Sequence, residues 1–453
     1  MKQNLLTVAV GSALMLTTTA LLAVPFNSID PKSMAMGGAG VAVANPASAP
    51  FFNPALLSIA DTNDDFAIEL PILGVRIYDP DDFVDAVDNF NDTVFDDLDA
   101  AINAYEAGTD FRNVAPVTGA IEAMDREVQT ISDKPLEFEG GGGMVIGIPG
   151  ESFGMALSVS GSVNFSGIFE YRDSARVNDL TADMNALPGC FPLTPDPAFT
   201  ASCLSAPGAF NFVQVNATNN AVPDIIFDTN TTLESKVRIV GVAMAEVGLT
   251  FSREMSLLGT EVAVGITPKM VAVSVFDYTA DADEADTDDF DGDNYTAEYS
   301  DFNMDIGVAR DHGNGWRSGF VIKNIIGQDY DAINTDPTTG IETVTGSVSL
   351  KPQARIGVSH TNEWTTVALD VDLTKNDPLG DIGNASQYVA VGVELDVFDI
   401  TQIRLGYRAD TVNSDRNVVS AGIGFSPLGV HFDLAVAGNE NEVGAAFQFG
   451  FRF

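Results

Sequence analysis

The last twelve residues of the chain alternate in side-chain character without a break. Odd positions are apolar and even positions are small or polar; the apolar set is Val443, Ala445, Phe447, Phe449, Phe451 and Phe453. Because successive side chains of a β-strand point to opposite faces, this pattern predicts a strand with one apolar face. Strands of soluble sandwiches also alternate, but a sequence ending on Phe453 directly after such a strand favours a transmembrane β-barrel.

Segments with similar alternation precede the last one, and short turns alternate with long or acidic connections between them. Outer-membrane barrels have this asymmetry of tight periplasmic turns and longer external loops. We therefore predict an all-β fold, a transmembrane antiparallel barrel of about 14 strands (roughly 12 to 16) with both ends on the periplasmic side. The predicted strands are residues 66–78, 137–149, 153–171, 232–251, 260–279, 295–310, 316–324, 347–360, 364–373, 386–397, 401–409, 418–426, 430–438 and 443–453.

The N-terminus has the pattern of an export signal. Lys2 is followed by a mostly apolar run from Leu5 to Leu22 and then by the small residue Ala23. This predicts a signal peptide over residues 1–23, with a permanent helical anchor as the alternative. Later apolar runs are too short for a transmembrane helix, so contact with lipid requires a closed barrel. The predicted location is the outer membrane of a Gram-negative bacterium, among lipid and lipopolysaccharide.

The chain is strongly acidic, with 64 Asp and Glu against 22 Lys and Arg and a net charge of -42. Such a charge argues against direct binding to nucleic acid. The histidines His312, His360 and His431 are far apart in sequence, and no nucleophile motif occurs, so no enzyme activity, metal or cofactor is predicted. The acidic stretch 281–293 lacks the glycine position of an EF-hand; a solvated loop, or loose attraction of divalent ions, is favoured over a calcium site.

Charged side chains occupy the inward positions of the later predicted strands. A salt-bridge network that fixes the barrel shape is favoured over a polar translocation path, because charges facing a wet or plugged lumen are expected in such barrels. The residues concerned are Asp370, Asp372, Glu394, Asp396, Arg404, Arg408, His431, Asp433 and Arg452.

Residues 24–60 are built of small side chains with turn formers at intervals. Small side chains allow close packing, so this segment is predicted to be a hatch inside the barrel of residues 61–453, with a disordered lead-in as the alternative. The candidate plug and ligand residues are Phe51, Phe52, Asn53, Pro54 and Leu56.

The first two external loops carry further signals. A helical insert is predicted at 81–131, because Phe83, Val87, Phe90, Val94, Leu98, Ile102 and Tyr105 recur at spacings of three and four. A second, shorter helix is predicted through Ile121, Met124, Val128 and Ile131. The pair is either a lid or capture groove for a hydrophobic ligand, or two helices that bury their apolar stripes against each other and the rim. Cys190 and Cys203 predict one disulfide, which would stabilise a loop of about 14 residues by ~3 kcal/mol.

The small-residue run followed by Phe51-Phe52-Asn53-Pro54-Ala55 resembles the amino-terminal hatch of the FadL-type transporters of long-chain fatty acids and aromatic hydrocarbons. A closer resemblance is to the outer-membrane family labelled conjugal transfer protein TraF, on the same run, the acidic helical insert, and residues 351–357, 364–373, 402–408 and 442–446. The resemblance implies a FadL-type barrel. It leaves two functions open: passive uptake of hydrophobic small molecules of fatty-acid or aromatic type, or a structural role beside conjugation-system subunits. The thioredoxin-like TraF of conjugation systems has a different fold, and this chain lacks its βαβ pattern.

Overall fold

The computed structural model of the chain is a closed antiparallel barrel of fourteen strands, which confirms the predicted fold class and strand number. The structure describes residues 22–23, 30–59, 66–107, 112–150, 153–190, 214–215, 225–226, 234–257, 259–281, 294–336, 338–379, 382, 385–398 and 400–452. Among these residues, none of the helices is long and apolar enough to cross a membrane.

The barrel strands follow one another around the wall in chain order, and the last strand pairs with the first to close it, with Glu442 opposite Tyr78. Strands β1 to β14 are Ala67–Tyr78, Pro135–Ile148, Phe153–Glu170, Lys236–Leu257, Thr260–Asp281, Thr296–Gly313, Trp316–Lys323, Gln353–Thr361, Thr365–Asp372, Tyr388–Val397, Thr401–Asp410, Val418–Phe425, Val430–Gly438 and Glu442–Arg452. The short turns lie at one end of the barrel, the turn end, and the long connections at the other, the loop end.

Two predicted boundaries are wrong. The predicted strand 347–360 begins too early, because Pro352 has no N–H to donate and separates β8 from a different strand that ends at Leu350. The predicted strand 232–251 stops too early. The polar residues after Thr250 read as a turn, but β4 continues through them to Leu257.

Alternation sets which side chains face the lumen. In β14, Glu442 is buried on the inner face, whereas the next residue, Val443, is 62% exposed on the outer face. The same contrast separates buried Arg404 from Leu405, which is 60% exposed, in β11. A wall with charges inside and exposed aliphatic groups outside is the reverse of a soluble protein, and such an outer face requires an apolar surrounding.

Among the described residues, the α-helices lie in the N-terminal region and in the first two long connections, and one 3-10 turn lies between β11 and β12. They are α1 (Pro31–Ala35), α2 (Ala49–Phe52), α3 (Phe83–Asn89), α4 (Asp96–Glu106), α5 (Ala115–Ile131) and α6 (Ser174–Ala186), with a π-helical stretch Phe90–Phe95 and 3-10 turns Pro54–Ser58, Leu187–Cys190 and Ser414–Arg416. Tyr105, Ile121 and Met184 bury together, so α4, α5 and α6 form one packed unit. Helix α6 is not anticipated by the sequence, because its apolar residues form no continuous stripe.

A hairpin that is not part of the barrel wall folds into the lumen from the connection between β7 and β8. This lumen hairpin consists of Gln328–Thr335 and Glu342–Leu350, and Tyr330 and Leu350 bury against the inner face of β4 and β5. The sequence predicts only a loop at 325–346, so the prediction is wrong there. Leu22–Ala23, the last two residues of the predicted signal peptide, pair in parallel with this hairpin.

Some predictions fall outside the described residues. Residues 1–21 of the predicted signal peptide and residues 282–293 of the acidic stretch are among them. Cys203 and the side chain of Cys190 are also outside, so the disulfide stays a prediction.

Asp173 fastens the start of α6 to the strand that follows the second long connection. Its Oδ2 accepts N–H bonds from Glu234 at 3.0 Å and Ser235 at 2.8 Å, and Oδ1 pairs with Arg176 at 3.1 Å. Burial alone would raise the pKa of Asp173, but the hydrogen bonds from Ser235 and Glu234 and the charge of Arg176 outweigh burial and hold the pKa below its ordinary 3.8.

The tether therefore predicts a pH dependence. A carboxyl with a lowered folded pKa contributes stability above its unfolded pKa and loses that contribution as pH falls through the folded value. We expect hydrogen exchange in α6, corrected for intrinsic rates, to accelerate below pH 3.8 in the wild type. Asp173→Asn should exchange fast already at pH 7 and change little on acidification. Equal protection of both proteins at pH 7 would contradict this role.

Candidate functional site

Residues 30–59, here called the inner segment, cross the barrel lumen. Helix α1 contacts β11 to β14 and β1, while the 3-10 turn Pro54–Ser58 contacts β3 to β6 on the other side. Phe52, Leu56 and Leu57 are buried and pack against inward aliphatic residues of the wall such as Val145 and Val321. These three side chains form the apolar part of the contact between the inner segment and the barrel wall.

Glycines on the inner wall make room for the inner segment. At each of these positions an added Cβ would overlap the inner segment; they are Gly265, Gly307, Gly319, Gly392, Gly406 and Gly422. At Gly406 the overlap is with the backbone of Met36 and Gly37, and at Gly307 it is with the side chain of Asn53. The wall and the inner segment are thus fitted to each other at the level of backbone atoms.

Asn53 is fully buried and joins the two parts by hydrogen bonds. Its Nδ2 donates to the carbonyls of Val41 at 3.1 Å and Val308 at 3.2 Å, and its Oδ1 accepts from the N–H of Ala55 at 3.1 Å. Pro54, also buried, begins the 3-10 turn. Of the candidate plug residues, only Phe51 is half-buried, and its carbonyl accepts from Lys323.

Asp370 holds the backbone of the inner segment directly. Its buried Oδ2 accepts the backbone N–H groups of Gly40 at 2.8 Å and Val41 at 2.9 Å. Asp372, two residues on, pairs instead with Arg355 at 2.5 Å, and Arg355 donates to the carbonyl of Gly38 at 3.3 Å.

Most of the remaining predicted lumen charges pair with one another or with residues that the sequence did not single out, whereas Asp396 borders a cavity at the turn end. Arg404 bridges Glu394 and Asp433, both at 2.5 Å, and Glu394 also meets Lys32 of α1 at 3.1 Å. Arg408 pairs with Glu442 and His431 with Glu69. Further pairs involve Arg76, Lys269 and Arg416. The sequence does not single out Glu69, Glu442 or Lys269, because the partner of each lies on another strand.

An apolar cavity of about 420 Å³, the outer groove, lies at the loop end between α3, α5 and strands β2 to β4. Phe83, Val87, Phe90 and Val128 line it from the helical insert, and the wall contributes Leu136, Phe165, Gly167, Phe169, Val237 and Ile239. The apolar residues predicted to recur along the helical insert, from Phe83 to Tyr105, therefore divide into two groups. The first group faces this cavity, and the second group, including Ile102 and Tyr105, packs within the helical unit.

A second cavity of about 520 Å³, the inner basin, opens at the turn end. Residues 42–46 of the inner segment border it, together with Leu56 and charged groups that include Lys32, Arg317 and Glu394. Its polar lining distinguishes it from the outer groove. In the ranges that the structure describes, no cluster of three or more His, Cys, Asp or Glu side chains could hold a metal ion.

These features define a class: a closed, fourteen-stranded antiparallel barrel with residues 30–59 in its lumen. The chain belongs to the family described as "F plasmid transfer operon, TraF, protein", whose sequence model matches residues 50–372, well over half of the chain. No curated protein sequence matches it.

Three solved structures are similar to this chain along most of its length. The toluene transporter TbuX of Ralstonia pickettii is 12% identical, with 94% of this chain and 98% of that one covered and a TM-score of 0.47. The toluene transporter TodX of P. putida is 10% identical, with 94% and 98% covered and a TM-score of 0.47. A FadL homologue of Pseudomonas aeruginosa is 11% identical, with 96% and 99% covered and a TM-score of 0.48. Identities this low say nothing about what this chain binds.

Proposed function

We propose that this protein is an outer-membrane channel of a Gram-negative bacterium for passive uptake of small hydrophobic molecules. The outer groove is the observation that carries the proposal, because it is an apolar cavity of about 420 Å³ at the loop end. Cavities of about 300 to 1,000 Å³ with apolar lining are the usual form of small-molecule sites. The exposed aliphatic outer face of the wall supports a setting among membrane lipid and lipopolysaccharide.

In this proposal the inner segment is the plug. Asn53 and Asp370 tie it to the wall, and Phe52 and Leu56 seal it against inward aliphatic groups. A molecule captured in the outer groove enters the barrel and leaves when the inner segment shifts, or through an opening in the wall. No cofactor takes part and no reaction is catalysed.

Filling the outer groove tests the proposal. Gly167 lines it, and an added Cβ there would meet Ile239 at an ordinary 3.7 Å, so Gly167→Leu starts a side chain into the cavity from a position where the Cβ fits. We expect binding of naphthalene to the detergent-purified variant to weaken by about tenfold or more. The measurement is equilibrium binding of the radiolabelled compound.

The matched control is Gly161→Leu, which lies on the same strand and the same outward face but away from the groove. Its added Cβ would have its nearest neighbour, the carbonyl oxygen of Met244, at 3.8 Å. This variant should bind naphthalene as the wild type does. Equal loss in both variants, or no specific binding by the wild type, would refute capture in the outer groove.

A second function is favoured by the family description, which refers to a plasmid transfer operon. In that case the barrel is a structural part of a conjugative transfer apparatus, and its external helices or turn-end loops hold other subunits. Co-purification of transfer-system subunits together with failure to bind any apolar compound would establish this alternative over uptake.

A further inference from the structure

We infer that the outer groove takes uncharged hydrocarbons, aromatic or aliphatic, and rejects fatty-acid anions. The inference rests on the proposed capture function and names the substrate class of that site. It follows from what lines the groove and from the charges around it.

The lining offers nothing to a carboxylate. All of the described residues that border the groove are aliphatic, aromatic or glycine. The one glycine, Gly167, lies within the β-ladder, opposite Leu136 on one side and Ile239 on the other. A buried carboxylate without a cation or N–H donors carries a large desolvation cost, whereas a hydrocarbon carries none.

The cations next to the groove are engaged elsewhere. Lys134 donates to the carbonyl of Asp81 at 2.6 Å, and Arg172 pairs with Asp133 at 3.0 Å and Glu170 at 3.3 Å. On α5, Arg126 is two residues from Val128 and so points to the other side of the helix.

Strand β4 places its own cations on the opposite face. Val237 and Ile239 line the groove, so the alternating positions Lys236 and Arg238 face the lumen side. Arg238 pairs there with Asp277 at 3.3 Å. Strand β4 therefore presents only the aliphatic groups of Val237 and Ile239 to a ligand.

Helix α3 carries Asp85 and Asp88 at exposed positions. Asp85 is two residues from the lining residue Val87 and so points to the other side of the helix. Neither carboxylate lines the groove. The apolar lining alone therefore carries the selection against an anion.

The test compares two molecules with the same chain, decanoate and its methyl ester, as competitors of radiolabelled naphthalene on the full-length detergent-purified protein at pH 8. We expect the ester to displace naphthalene with at least about tenfold higher affinity than decanoate. The Gly167→Leu protein measures partition into detergent alone. Equal affinities of decanoate and ester would overturn the inference and leave uptake standing; absence of naphthalene binding above the Gly167→Leu background would instead refute the proposed function.

A variant that gains affinity for decanoate tests the inference independently of the competition experiment. Val87→Lys introduces an ammonium group into the lining and should improve decanoate affinity at least about tenfold, while Val87→Met, which lacks the charge, should not. A lipid A acyl chain that co-purifies in the groove and resists displacement by naphthalene would overturn the inference, because the occupant would then be structural lipid.

Discussion

Gly406→Ala is expected to displace the inner segment and to open the barrel to ions. The added Cβ would overlap backbone atoms of Met36 and Gly37, which cannot rotate away as a side chain can. Overpacking of this kind costs about 1 to 3 kcal/mol or more. If the inner segment yields, the fraction of open barrels rises by roughly tenfold or more. Conductance of the purified protein in planar lipid bilayers measures this directly.

The matched control is an inward glycine at which an added Cβ would overlap no neighbouring atom. At Gly147 an added Cβ would lie 3.7 Å from the Cβ of Ala156 and 3.9 Å from Cδ1 of Leu57, which are ordinary contacts. Gly147→Ala should therefore stay closed. Heat-dependent mobility on gels shows whether each variant still forms the barrel. A folded Gly406→Ala protein with wild-type conductance would show that the inner segment does not block the lumen.

Arg404→Met should destabilise the barrel more than substitution of an exposed charge. Arg404 is buried and joins Glu394 and Asp433, so its removal leaves two buried carboxylates close together. Removing one partner from a buried ionic cluster costs about 3 to 5 kcal/mol. Equilibrium unfolding in urea, followed by tryptophan fluorescence, measures the loss.

The triple variant Arg404→Met, Glu394→Gln, Asp433→Asn separates charge from packing. Without unpaired carboxylates, it should recover much of the stability that the single variant loses, because neutral replacement of a whole buried cluster is often tolerated. Lys32 can still donate a hydrogen bond to the amide at position 394. A triple variant as unstable as the single one would show that the aliphatic stem of Arg404, and not its charge, matters.

Periodicity in the sequence was sufficient to predict the wall. Alternation with a period of two marks each strand locally, as in β14, and no distant information is needed to recognise it. The same reasoning predicts that Glu394 and Arg404 face the lumen, and both are buried in the structure. It failed at the lumen hairpin, since a strand that turns inward has the same local pattern as one in the wall.

The sites depend on contacts between distant parts of the chain. The outer groove combines Val87, Val128, Phe165 and Val237, which no spacing rule connects. Gly307 and Gly406 read in the sequence as ordinary small residues, because the close approach of Asn53 or Gly37 is set by the whole fold. Glycines at inward positions of consecutive strands are the sequence signal that could have predicted the close approach of the inner segment to the wall.

The inner segment also limits the order in which the molecule can be assembled. It directly precedes β1, yet it touches β3 to β6 on one side and β11 to β14 on the other. We therefore expect the seam between the first and last strands to join only after the inner segment has been enclosed. Assembly of this protein would then require the strands to close around the inner segment, and not the insertion of that segment into a finished barrel.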